Sequence, residues 1–97
     1  MKAYELLFFT DPALDEESRL GLMKRLETLI TSNGGAVDNV DEWGKRKLAY
    51  EINKLTDGNY TLVEFHIAPD AIAEIERVIR INDLIVRHMI TVRPDKD

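Results

Sequence analysis

The residues best equipped for chemistry gather in one stretch, Trp43-Gly44-Lys45-Arg46-Lys47-Leu48-Ala49-Tyr50-Glu51-Ile52, where three consecutive cations follow a Trp-Gly break. The formal net charge of the chain is -5, so this basic segment stands against an acidic background. Local potential rather than net charge decides what docks on a surface, and such a cluster points to an anionic partner. The plainer reading is a solvated edge strand, on which lysines discourage strand-to-strand aggregation. Lys2, Lys54, Arg80, Arg87 and Arg93 are further cations spread along the chain. Basic side chains interleaved with Trp43 and Tyr50 suit a phosphate backbone held by shape and charge.

Other chemistry finds little to work with. The absence of cysteine excludes disulfides, thiolate metal sites and cysteine nucleophiles. His66 and His88 have no second histidine or carboxylate set at ligand spacing, so no metal and no cofactor is expected. Parity places His88 at the core margin as a hydrogen-bonded histidine, and His66 on an open sheet face. Neither Ser18 nor Ser32 stands in a Gly-x-Ser-x-Gly elbow, and nucleophilic catalysis has no candidate. Gly34-Gly35 follows a helical pattern instead of opening one, so it reads as a cap and not as a phosphate cradle. No enzyme is expected.

The elements that must position these residues follow from periodicity. Lys2 to Thr10 alternates as a strand that is apolar on both faces around Leu6 to Phe9. Asp11-Pro12 breaks it, and Asp15 caps a helix whose stripe is Leu22, Met23, Leu26, Leu29 and Ile30, ending near Ser32. Ala36 to Ile52 reads as a long strand with a bulge or bend at Gly44 and with alternation resuming at Leu48. Thr56-Asp57-Gly58-Asn59 reads as the turn of a hairpin, and Tyr60 to Ala68 as its second strand. Pro69-Asp70 starts a second helix carrying Ile72, Ile75 and Ile79, which ends at Asn82-Asp83. Leu84 to Val92 closes the pattern as a strand, leaving a polar tail at 94–97.

This order predicts an α+β, ferredoxin-like βαββαβ sandwich: a four-stranded antiparallel sheet with both helices on one face. Right-handed crossovers put the first and third strands in the centre. The open face should then carry Glu5, Leu7, Phe9, Leu62, Glu64, His66, Ile85, Arg87 and Met89. Residues 1–93 read as one domain, consistent with 97 residues at 44% hydrophobic and 32% charged content. The apolar runs fall far short of the roughly 20 residues a membrane span needs. With no signal core at the amino terminus, the expected location is the cytoplasm.

Two enzyme- or RNA-related uses of this plan are disfavoured by particular residues. The loop Thr10-Asp11-Pro12-Ala13-Leu14 lacks the anion-binding arginine of acylphosphatase-like proteins. The strand after Gly58 lacks the aromatic motif with which RNA-recognition modules stack bases.

The run Trp43 to Ile52, followed by Gly58-Asn59-Tyr60, resembles the signature segment of bacterial small-subunit ribosomal protein six. Tyr4-Glu5, Asp11-Pro12, Ile81-Asn82-Asp83 and Arg87-His88-Met89 fall where that family has similar residues, so the resemblance covers nearly the whole chain. Glu51 stands where the family often has proline. The resemblance implies a non-enzymatic constituent of the small ribosomal subunit that binds the central domain of small-subunit ribosomal RNA together with small-subunit ribosomal protein eighteen. On that basis Lys45, Arg46, Lys47 and Lys54 are expected to contact RNA phosphates, with Lys2, Arg80 and Arg87 as further RNA-binding candidates. Leu48, Tyr50 and Trp43 are the expected partner-protein contacts, and the chain alone is expected to be a monomer. The competing expectation is a ferredoxin-like regulatory or ligand-binding dimerisation module that pairs open faces through Leu7, Phe9, Leu62 and Met89.

Overall fold

The computed structural model of the protein describes residues 1–93, and the polar tail expected at 94–97 lies outside the described residues. The chain runs β1 (Lys2–Thr10), α1 (Glu16–Ser32), β2 (Ala36–Ile52), β3 (Leu55–Ile67), a 3-10 turn (Pro69–Ala71), α2 (Ile72–Arg80) and β4 (Arg87–Val92). The strands form one four-stranded sheet in the order β2-β3-β1-β4, with every pair antiparallel. This is the predicted ferredoxin-like arrangement, with β1 and β3 central.

The alternation of β1 explains why it sits there. Tyr4, Leu6 and Phe8 enter the core with Val63, Phe65 and Ile67 of β3, beneath Leu22, Leu26 and Ile30 of α1 and Ile75 and Ile79 of α2. Burying each large apolar side chain contributes about 1.5–3 kcal/mol, so this layer holds both helices to the sheet. Asp15 caps α1 as expected, accepting from the Ser18 backbone N–H at 3.1 Å and from the Ser18 hydroxyl at 2.8 Å. Those bonds hold the Asp15 carboxyl below its ordinary range. At the other end the Gly35 N–H reaches the Ile30 carbonyl at 2.9 Å, closing the helix.

Three sequence expectations are corrected. The hairpin turn is not Thr56 to Asn59 but Asn53-Lys54, whose φ values of 50° and 66° are the paired left-handed conformations of a type I′ turn. Asp57-Gly58-Asn59 has turn composition, yet it lies within β3. Gly58 is there for clearance: a Cβ would lie 2.6 Å from the ring of Phe9 on the neighbouring strand. The second correction concerns α2 and β4, since α2 ends at Arg80 and β4 starts only at Arg87. The apolar run Leu84-Ile85-Val86 is a connection, tied by Val86 N–H to the Phe9 carbonyl at 3.0 Å. Third, Ile85 therefore escapes strand parity and joins the core instead of the open face.

Candidate nucleic-acid interface

β2 is an edge strand, and the backbone irregularities along it decide what it presents. Val37 pairs with Phe65 and Asn39 with Glu64, so Asp38 is an extra residue in a bulge. Glu42 pairs with Thr61 and Gly44 with Tyr60, which makes Trp43 the extra residue of a second bulge. Gly44 follows with φ 81°, a conformation natural to glycine, and this is the bend expected at that position. A third interruption separates the Lys47–Asp57 pair from Ile52–Leu55, so Leu48 to Glu51 run past β3 without a paired register.

At the second bulge an aromatic row crosses the open face. Phe9 of β1 lies 5.1 Å from Tyr60 of β3 between ring centres, and Tyr60 lies 6.3 Å from Trp43 at an interplanar angle of 23°. Phe9 is buried by this row even though it points away from the helices. Trp43 stays 39% exposed, its indole N–H donating to Asp41 at 3.3 Å. The Arg46 guanidinium sits 5.7 Å from the centre of the Trp43 ring, and its Nε donates to the Trp43 carbonyl at 3.4 Å. Trp43, Arg46, Lys47 and Tyr60 together line a shallow recess of about 390 Å³.

The candidate cations divide by position. Lys45, Arg46 and Lys47 lie exposed beside Asn59, Gly58 and Asp57, and Lys54 is at the turn that closes the same hairpin. Among the described residues none of these four makes an ion pair with a carboxylate, so their charges face solvent. Arg87 pairs in register with Phe9, which puts it at the far end of the aromatic row. Lys2 pairs with Ile67, at the opposite end of the sheet from the hairpin, about 27 Å from the level of Lys45 at 3.3–3.4 Å per residue. Arg80 ends α2 on the helical layer, where its side chain is 3.6 Å from Glu76. The structure thus gathers four cations on one hairpin, sets Arg87 across from them, puts Arg80 on the helical layer and leaves Lys2 at the far end of the sheet.

The expected partner contacts divide as well. Tyr50 is 70% exposed, whereas Leu48 is only 8% exposed and supports the strand from within the chain.

Sequence reasoning did not find the cluster at the other end of the open face. The Arg93 guanidinium reaches from the end of β4 past β1 to β3, where it meets Asp38 of β2 at 2.6 Å, the Phe65 carbonyl at 3.3 Å and Glu64 at 3.8 Å. His66 Nδ1 hydrogen-bonds the same Asp38 carboxylate. Burial pushes the Asp38 carboxyl up, but the hydrogen bonds and charges of Arg93 and His66 outweigh it and leave the group below its ordinary value. Arg93 is 8% exposed, so it is a structural tie and not a free cation. His88 sits at the core margin, 3.5 Å from Glu76. Among the described residues no group of three His, Cys, Asp or Glu side chains is placed to hold a metal, and no helix is long and apolar enough to cross a membrane.

Comparison with known proteins agrees with this fold. The profile of the family described as Ribosomal protein S6 matches residues 3–92. The small ribosomal subunit protein bS6 of Clostridium novyi is 48% identical over 96 residues, covering 99% of this chain and 100% of that protein. The bS6 protein of Caldanaerobacter subterraneus subsp. tengcongensis is 47% identical over 95 residues, covering 98% and 99%. The crystal structure of 30S ribosomal protein S6 from Thermotoga maritima superposes with a TM-score of 0.90 at 34% identity, covering 97% of this chain and 89% of that one. Profile, sequence relatives and fold agree along almost the full length, and the chain belongs to the ribosomal protein S6 family.

Proposed function

We propose that residues 1–93 act as one unit that binds the central domain of small-subunit ribosomal RNA through the β2–β3 hairpin, in company with small-subunit ribosomal protein eighteen. As a member of its family the chain is a ribosomal structural protein and not an enzyme, and it belongs to the small subunit of the cytoplasmic bacterial ribosome. The observation that carries the RNA reading is the unneutralised group Lys45, Arg46, Lys47 and Lys54 on one exposed hairpin of an acidic chain. Cations that find no carboxylate partner among the described residues are available to phosphate, and phosphate contacts position a protein without reading sequence. Arg87, across the aromatic row, extends the same contact surface. Lys2 lies too far from the hairpin to share one phosphate track with it, whereas Arg80 ends α2 on the helical layer at the hairpin end of the molecule, where Asn53 of the turn and Asp83 line one recess, and serves as an outlying contact. The partner protein meets the free edge of β2 around Tyr50, the most exposed aromatic side chain of that strand.

The test is a salt series on binding of the central-domain RNA fragment, with and without the partner protein. Lys45→Ala and Lys47→Ala should each weaken binding uniformly and reduce the slope of log affinity against log salt by about 1. Unchanged affinity and slope in both variants would remove the hairpin from the interface.

A further inference from the structure

We infer that the recess formed by Trp43, Tyr60, Arg46 and Lys47 receives one unpaired RNA base, stacked on the Trp43 indole, with the adjoining phosphate taken by Arg46 and Lys47; this rests on the RNA reading of the hairpin. The bulge at Trp43 inserts an extra residue between Glu42 and Gly44, and the indole lies against Tyr60 on the open face. The platform behind it is firm. Tyr60 is backed by Phe9, which is itself buried and packed on Gly58 with no room for a further atom. The indole N–H also donates to Asp41 at 3.3 Å, which favours the observed ring orientation. A rigid, part-exposed aromatic face gives up little entropy when a flat ligand covers it, and base–aromatic stacking is tolerant of base identity.

The rim decides between a nucleotide and an apolar protein side chain. Arg46 and Lys47 border the recess, and among the described residues neither is paired with a carboxylate. An aliphatic or aromatic side chain entering here would cover the ring but leave both charges uncompensated and partly desolvated. A nucleotide satisfies both requirements, supplying a π-face for Trp43 and an anion for the cations. Arg46 already occupies the indole face and is held there only by a cation–π contact and one long hydrogen bond of 3.4 Å. The incoming base replaces the guanidinium on the ring, and Arg46 turns to the phosphate.

Trp43 is the only tryptophan in the chain, so its fluorescence reports on this site alone. The central-domain RNA fragment is titrated into the full chain, alone and premixed with the partner protein; the Trp43 emission of wild type is followed, and affinity is measured for wild type, Trp43→Phe and Trp43→Leu. Stacking predicts quenching of Trp43 on RNA addition and a roughly ten- to hundredfold loss of affinity in Trp43→Leu, with Trp43→Phe intermediate and the salt slope unchanged in both. If Trp43→Leu binds as wild type and emission is unaltered, while Lys45→Ala and Lys47→Ala weaken binding, the phosphate contacts stand and the stacked base is wrong. Quenching by the partner protein without RNA would assign the recess to protein and overturn the inference. Unchanged binding in all four variants would remove the RNA reading together with it. Should Trp43→Leu fail to fold, as judged by circular dichroism, quenching in wild type and affinity in Trp43→Phe still decide.

Discussion

Asp38 and Trp43 owe their roles to the same backbone device, since each is the surplus residue of a bulge in β2. At Asp38 the bulge supplies the carboxylate that meets Arg93, a side chain that has left solvent to span the open face. Removing that carboxylate takes the shortest partner from a buried guanidinium and leaves it the Phe65 carbonyl at 3.3 Å and Glu64 at 3.8 Å. Asp38→Ala should therefore cost about 1–3 kcal/mol, read as a lowered midpoint in thermal or urea unfolding. The same group carries a pH dependence whose sign follows from its direction of shift. Because the folded-state pKa of Asp38 lies below its ordinary value, its contribution is fully present above the unfolded pKa of about 4 and is lost as pH falls through the folded one. Wild type should lose thermal stability below about pH 4 more steeply than Asp38→Asn, which starts lower and has no carboxyl there to protonate. Equal slopes for the two proteins would mean that the tie across the sheet contributes nothing in solution.

The β2–β3 hairpin shows where local stability and the proposed function pull apart. Lys54 holds φ 66° in the turn, a conformation that costs a non-glycine residue about 1 kcal/mol, yet its cation stands at the tip of the basic hairpin. Lys54→Gly should raise the unfolding free energy by up to about 1 kcal/mol while weakening RNA binding. A gain in both would show that the lysine serves neither purpose. Gly58→Ala should do the reverse of a turn substitution: it lies in paired strand, and the added methyl must displace Phe9, at about 1–3 kcal/mol. The two glycine-related positions also explain what could be read from the sequence. Strand and helix order, the pairing order, the Asp15 cap and the bend at Gly44 were legible because each rests on periodicity or on a residue with one conformational preference. Asp57-Gly58-Asn59 misled because turn composition and close approach to a neighbouring ring both select glycine, and only pairing tells them apart. Ile85 was misplaced because an apolar run has the same parity whether it is strand or connection. Of the candidate site, the cation cluster was visible as charge in sequence, whereas the recess needed the pairing of Gly44 with Tyr60 and the Asp38–Arg93 tie joins residues 55 apart.

The whole molecule sets these local features in an acidic field. With a net charge of -5 the chain as a body repels RNA, and the hairpin attracts it only within about a Debye length, roughly 8–10 Å at physiological salt. A basic partner protein docked on β2 would change that balance by adding cations next to the hairpin. The open face, for its part, is poorly suited to pairing with a second copy. Its aromatic row is already packed on itself, and its other end is the charged cluster of Arg93, Asp38, Glu64 and His66. Met89, 57% exposed, stands in register with the half-buried Leu7 and Leu62, which makes one narrow apolar row between the two polar ends of the face. Closing two such faces would desolvate both charged clusters for the gain of that single row. Sedimentation at micromolar concentration should accordingly give a monomer, and the RNA affinity of the mixture with the partner should exceed that of either protein alone, most clearly at low salt, since the mixture neutralises more phosphates and its affinity falls more steeply as salt rises. A stable dimer that dissociates on Met89→Glu would favour the dimerisation module instead, because that substitution touches the open face and leaves the hairpin cations in place.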